Sequence, residues 1–250
     1  VVRIGRDVTP LRGYEEAVKE SPTGTCMIEE WIEGPQISTE SVLTADGIST
    51  PGLSSRNYDR LEEFYPYVIE DGGDLPADIT KEQRAEIDGV ITAAANALSI
   101  TSGVIKGDIV MSKDGPLVIE IAPRLSGGFF CTHTGPLSSG VSIVKAAIDF
   151  ALGFDVDYKE YAPNFDKFVS QRFLFPKPGI VKEVKIDEKL KDDARIESIN
   201  ISVKPGDEIK EIKSHPCRAG SVIATGKSRE DATEAALEAL KGIKVIVEEA

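Results

Sequence analysis

The sequence predicts an α+β protein: an antiparallel sheet with flanking helices, followed by a small β-rich domain. Three observations carry that prediction. Two pairs of strand-like runs, residues 36–44 with 48–53 and the apolar residues 104–111 with 117–122, are each joined by a short turn ending in glycine, Ala45-Asp46-Gly47 and Lys113-Asp114-Gly115. Between the pairs, Ile87, Val90, Ile91, Ala94 and Leu98 recur at helical spacing and give one apolar face. From Lys167 onward the character changes to short β runs (168–175, 180–186, 196–203 and 221–225) separated by Pro-Lys-Pro-Gly and Pro-Gly-Asp turns.

Composition narrows the classes of function. With 250 residues, 41% of them hydrophobic, the chain can build one large domain or two small ones with real cores. A formal net charge of −13 argues against a nucleic-acid surface, which would carry a basic stripe. No apolar run approaches the ~20 residues of a membrane span, and no signal peptide opens the chain. Cys26, Cys131 and Cys217 are widely scattered, which fits thiols in a reducing cytoplasm better than a disulfide framework. A cytoplasmic protein with neither nucleic-acid nor membrane partners is expected, and a homo-oligomer is compatible with this composition.

Taken in order, residues 1–4 read as strand already under way, as in the interior of a longer protein. Residues 15–21 form a short amphipathic helix stopped by Pro22. Residues 25–36 read as a strand that breaks at Gly34-Pro35. After the first hairpin, residues 54–78 show no clean period and contain Gly72-Gly73 and two prolines, which predicts an irregular surface segment or a mobile cover. Arg56, inside it, reaches either a substrate anion or solvent. Thr80 with Gln83 completes a capping box for the next helix.

Beyond the second hairpin, Phe129 and Phe130 read as packing or as a lining for substrate. His133 is either an acid/base or a locally hydrogen-bonded residue. Residues 139–152 read as a helix closed by Gly153. The polar stretch 155–166, with Pro163, reads as a linker that separates residues 1–155 from residues 165–250. Gly226-Lys227-Ser228 lacks the upstream glycine of a phosphate loop, because position 221 is Ser. Ser228 is read instead as the N-cap of a helix over 229–240, with Asp231 closing the capping box, and residues 243–247 as a last strand.

The second hairpin carries the chemistry. Folding it about Asp114 sets Asp108 directly opposite Glu120 on one face of the sheet. Like charges so placed destabilise an antiparallel pair, so a positive group is expected between them. A divalent cation, Mg²⁺ (or Mn²⁺), completed by water and phosphate oxygens would serve. So would Lys106, two residues before Asp108 on the same face, in a plain salt-bridged hairpin. Geometry leaves both open. Arg124, past Pro123 and leading into Leu125-Ser126-Gly127-Gly128, favours the first, because a guanidinium beside a glycine turn with bare N–H groups suits phosphate.

With its Ala122-Pro123-Arg124 exit, this stretch resembles the metal and phosphate end of the ATP-grasp superfamily, whose members carry an acid on one strand and a Glu on the next before Asn-Pro-Arg or a close variant. The resemblance implies a partial ATP-grasp fold over residues 1–155, with Asp108 and Glu120 as metal ligands and Arg124 as a phosphate contact. Ala122 replaces the metal-binding Asn of many members, a variant shared by carboxyaminoimidazole ribonucleotide synthase and its relatives. The run Glu29-Glu30-Trp31-Ile32-Glu33-Gly34-Pro35-Gln36 is similar to the family strand that lines the adenine pocket. By that similarity Glu29, Glu30 and Ile32 face adenine, and Gln36 meets the ribose without the usual charge.

The implied cofactors are ATP and Mg²⁺, and the implied partners a small-molecule carboxylate and an amine. The implied reaction is a ligation through an acyl-phosphate. A bicarbonate-dependent carboxylase and a non-catalytic ATP-binding fragment are the alternatives. The family's lysine and glycine-rich loop would lie upstream of Val1. Residues 165–250 look like the small β-rich domain of biotin carboxylase, and no chemical constellation is apparent in them.

Overall fold

The computed structural model describes residues 1–5 and 8–248. In chain order the strands are β1 (Gln36–Thr44), β2 (Gly47–Asn57), β3 (Gly72–Leu75), β4 (Gly103–Ser112), β5 (Gly115–Ala122), β6 (Phe168–Leu174), β7 (Gly179–Ile186), β8 (Ile196–Ile201), β9 (Glu208–Ile209), β10 (Gly220–Gly226) and β11 (Ile243–Glu248). The helices are α1 (Pro10–Glu20), α2 (Lys81–Ala97), α3 (Gly135–Ser139), α4 (Ile143–Ala151) and α5 (Arg229–Lys241). Eight strands form one sheet in the order β5-β4-β1-β2-β3-β6-β10-β8, and β11-β7-β9 form a smaller one. The named pairings are antiparallel, giving the mixed helix and antiparallel-sheet architecture that the sequence predicts.

Period-two alternation decides where the core and the cleft lie. On β1 and β4 the odd positions Ile37, Ile105 and Ile109 are buried together with Ile87, Ile91 and Ala95 of α2. Each fully buried isoleucine contributes roughly 2 kcal/mol of hydrophobic stabilisation. The even positions, Ser38 on β1 and Lys106 and Asp108 on β4, therefore point to the opposite face, where they line a cleft. The helix that drives this partition starts as expected: Thr80 Oγ1 accepts from the Gln83 N–H, and Gln83 Oε1 accepts from the Thr80 N–H. Its last apolar position departs from expectation, since Leu98 is exposed past the end of the packed face.

Several segments differ from the sequence reading. The first helix begins at Pro10, earlier than expected, because Thr9 caps it through the Arg12 N–H and Pro10 fits the first turn. Residues 139–152 are broken at Gly140, which takes φ +72° where an added Cβ would meet the Phe165 ring at 2.6 Å. The polar segment 155–166 holds a short 3-10 turn, Tyr158–Tyr161, with Tyr161 buried beside Val42 and Val141. Ser228 caps α5 as expected, but Asp231 accepts from the Lys227 N–H rather than closing the box on Ser228.

The largest difference is β3, inside the stretch expected to be irregular. It pairs with β2 on one side and β6 on the other, so it joins the two halves of the large sheet. Gly72 and Gly73 carry no strand propensity, and their role is spatial. A Cβ on Gly72 would lie 2.4 Å from the Gln171 carbonyl oxygen and 2.7 Å from Arg172 Cδ. Arg172, buried there, reaches Asp74 through both terminal nitrogens at 2.9 Å. Gly72→Ala should therefore lower unfolding stability by about 1–3 kcal/mol in denaturant titration. Gly89→Ala, on the exposed face of α2 with open space around it, should raise stability by about 0.5–1 kcal/mol. Equal midpoints for the two variants would contradict this account of β3.

Candidate functional site

The cleft on the polar face of the sheet has a volume of about 1150 Å³, above the ~300–1,000 Å³ of an ordinary small-molecule pocket. Strands β1 to β6, α1, the segment at residues 26–32 and the turn after β5 all contribute to its lining.

Asp108 and Glu120 face each other across β4 and β5, and the register explains why counting from Asp114 finds them. The tip is a two-residue turn that pairs Ser112 with Gly115, and this would offset the acids by one position. A bulge between Asp108 and Ile109 inserts one extra residue on β5 and brings Asp108 back opposite Glu120. Asp108 is 13% exposed and Glu120 53%. Lys106 pairs with Asp108 and lies 3.7 Å from Glu120. Arg124 Nη2 sits 3.3 Å from Glu120 Oε1, and Arg56 Nη1 sits 3.3 Å from Asp108 Oδ2. The Ser38 hydroxyl donates to Asp108 Oδ1 at 2.8 Å.

Burial pushes the Asp108 carboxyl up, but Arg56, Lys106 and Ser38 together outweigh it and hold it below the usual carboxylate range. The Arg56 guanidinium is held firmly charged: Glu70, Tyr58 and Asp108 outweigh the burial that opposes it. Two acids thus face three cations, Arg56, Lys106 and Arg124, and Glu70, paired with Arg56 at 3.1 Å, balances the third.

The turn after β5 is fixed from beneath. Glu40, 2% exposed, accepts from the Ser126 N–H at 2.8 Å, and burial raises its pKa. Ser126 Oγ and Arg56 Nε are buried without a partner. Gly127 and Gly128 have open space on the cleft side. Unpartnered donors beside three cations suit a polyanion. Among the described residues no three His, Cys, Asp or Glu side chains gather around a metal position. A cation held by Asp108 and Glu120 alone would take most of its ligands from elsewhere, so the residues fit a metal bound together with phosphate oxygens and not a bare ion.

Glu29, Glu30 and Ile32 line the same cleft, and Gln36, the first residue of β1, lies at its edge opposite Val110. The expected strand over residues 25–36 is not formed: up to Pro35 the segment has no regular structure, no described strand pairs with it, and only Gln36 is in β1. Met27 and Ile28 are largely exposed, and Trp31 lies under the Arg3 guanidinium at 4.8 Å rather than in the core. Gly34, at φ +146°, turns the chain into β1 where an added Cβ would meet the Met111 carbonyl oxygen at 2.1 Å. His133 is outside the cleft lining; its Nδ1 pairs with the Thr132 hydroxyl at 2.8 Å and its ring meets Phe129 edge-on.

The structure resolves Arg56 toward the cleft, and it brings in three residues that no motif marks, Glu70, His215 and Arg218. The last two correct the view that residues 165–250 bring no chemistry to the site, because both line the cleft from the loop that precedes β10. His215 Nε2 accepts from the Glu70 N–H at 3.3 Å, which places the ring proton on Nδ1. Burial, then the positive charge of Arg218, push this imidazole down to about 4.

In the unfolded chain the same imidazole takes its proton near ~6.5. Between pH 4 and 6.5 the unfolded state therefore binds more protons, so His215 makes stability fall as pH drops through that window and costs nothing above it. His215→Gln, which keeps an acceptor for the Glu70 N–H, should flatten that part of the stability–pH curve in denaturant unfolding. Identical slopes in the two proteins would show the imidazole already charged in the fold.

Comparison with known proteins places this geometry in a family. Residues 5–128 match the model of the ATP-grasp domain, and residues 172–248 match that of the L-amino acid ligase C-terminal domain 2. Among solved structures the fold is similar to L-amino acid ligase from Bacillus licheniformis, with a TM-score of 0.75 and 18% identity over 88% of this chain and 53% of that one. Phosphoribosylglycinamide synthetase from Anaerococcus prevotii gives a TM-score of 0.74 and 15% identity, covering 99% of this chain and 64% of that one. The biotin carboxylase domain dimer of Hydrogenobacter thermophilus 2-oxoglutarate carboxylase, in complex with MgADP, ADP and bicarbonate, gives 0.68 and 19%, covering 94% and 52%. The chain spans less than two thirds of the length of each of these proteins. The ATP-grasp match covers the strands and turn that hold Asp108, Glu120 and Arg124, and residues 5–128 of this chain belong to the ATP-grasp superfamily.

Proposed function

We propose that this chain forms the metal–nucleotide side of an ATP-dependent ligase that activates a small carboxylate as an acyl-phosphate for attack by an amine. The observation that carries the reading is the opposed pair Asp108–Glu120, set among three cations beside a turn with unpartnered donors. In this reading Asp108 and Glu120 hold Mg²⁺ or Mn²⁺ bound with the nucleotide. The metal would draw charge from the phosphate oxygens. Arg124 and the backbone N–H groups of Gly127 and Gly128 grip the transferring phosphoryl group, and Glu40, which takes the Ser126 N–H, keeps that turn in place. The segment at Glu29, Glu30 and Ile32 meets the adenine edge, and the Gln36 amide meets a ribose hydroxyl.

The chemistry balances in two steps. A carboxylate oxygen attacks the γ-phosphorus and ADP leaves; the amine nitrogen then attacks the acyl carbon and inorganic phosphate leaves. The match of residues 172–248 to an L-amino acid ligase domain supports an amine as acceptor. Bicarbonate, present with the Hydrogenobacter thermophilus carboxylase domain, is the competing co-substrate. Amine-dependent against bicarbonate-dependent ADP formation separates the two. In the protein that carries this chain, Glu120→Lys should cut ADP formation about a hundredfold or more, through loss of a ligand and gain of a repelling charge. Unchanged turnover would discard the assignment.

A further inference from the structure

At the end of the cleft away from Arg124, two arginines from distant parts of the chain converge on one carboxylate oxygen. Arg56 Nη2 lies 3.1 Å from Glu70 Oε2, and Arg218 Nη2 lies 3.3 Å from the same atom. Arg218 Nη2 also donates to the Glu70 carbonyl oxygen at 2.6 Å. Its guanidinium stacks on the Phe173 ring at 3.6 Å, so the fork is held flat and aimed before any ligand arrives. The side chains of Arg56, Arg218 and Glu70 are 12%, 14% and 19% exposed.

The charges here do not cancel. Among the buried groups, Arg56, Arg218 and Lys106 face only Asp108 and Glu70, and His215 beside them is neutral. One positive charge is left over among these buried groups. Nε of both Arg56 and Arg218 is buried without a partner, so each fork still has a donor to give. Burial and the nearby Arg56 also lower the Arg218 pKa, as expected for a cation short of counter-charge. Two planar forks, unpartnered donors and one net charge match a single planar monoanion. Phosphate groups call for more charge than remains here.

We infer that Arg218, with Arg56, is the receptor for the carboxylate of the small-molecule substrate, so that the C-terminal half supplies the group that recognises the acid. This deepens the proposed ligase function and rests on it for the fate of the acid, but not for its binding. Arg56 bridges Glu70 and Asp108, so a carboxylate docked between the two guanidiniums sits next to the phosphate end of the cleft.

The test uses this 250-residue chain without nucleotide and reads binding by NMR chemical-shift titration. Propionate is the probe, and propionamide is its uncharged isostere. Saturable binding of propionate, with a dissociation constant on the order of 1 mM, and none of propionamide is expected. Arg218→Met should weaken propionate binding about tenfold or more, and Arg218→Lys, which keeps the charge but loses the fork, should weaken it less. Arg124→Gln should leave it unchanged. Wild-type affinity in both Arg218 variants, equal binding of propionamide, or loss of binding in Arg124→Gln alone would overturn the inference. Because no nucleotide is present, failure of the ATP assignment would leave these outcomes readable.

Discussion

Two carboxylates held opposite each other on neighbouring strands repel, and the surrounding structure is arranged to oppose that repulsion. At the ~5 Å separation of a cross-strand pair, in a medium of effective dielectric ~20, the cost is about 3 kcal/mol. That rivals the gain from burying one isoleucine of the core. The sheet nevertheless enforces the pairing, through a bulge that corrects the register and through α2, which takes the opposite set of side chains. Lys106, Arg56 and Arg124 then surround the acids, and Glu70 on the far side of Arg56 balances the third cation. Ser126 Oγ and Arg56 Nε stay buried and unpartnered, and in the proposed reading a metal-bound polyphosphate completes the site.

The same constraint links the two halves of the chain. The short strand β3 carries the sheet from β2 to β6, and its glycines let Gln171 and Arg172 approach within distances that a side chain would forbid. That closeness brings Phe173 and the loop before β10 to the cleft, and with them His215 and Arg218. In the proposed reading the metal–nucleotide site and the receptor for the acid are neighbours along one sheet face, with Arg56 paired to Asp108 on one side and to Glu70 on the other.

Legibility in the sequence followed locality. The central hairpin was readable because strand period and turn length fix cross-strand partners, and the bulge happened to restore the count made from Asp114. The α2 capping box was readable for the same reason, since Thr80 and Gln83 contact each other directly. Gly72-Gly73 read as loop because close packing, not propensity, makes that stretch a strand. Residues 25–33 have the composition of a strand, yet no described neighbour supplies a ladder, and the segment stays irregular. His215-Pro-Cys-Arg218 forms no motif, and only the path of the sheet brings it within reach of Glu70, 145 residues away from His215. An unmatched Arg in a chain of net charge −13 was the one available signal, and it is a weak one.

The claim that the facing acids are kept for a metal–nucleotide complex can be met by one calorimetric comparison: titration of Mg²⁺ into this chain with and without ATP. The account predicts negligible binding of Mg²⁺ alone, because Lys106, Arg56 and Arg124 already oppose the two carboxylates, and saturable binding of MgATP that Asp108→Asn removes. Tight binding of Mg²⁺ without nucleotide, or MgATP binding that is indifferent to Asp108→Asn, would contradict it.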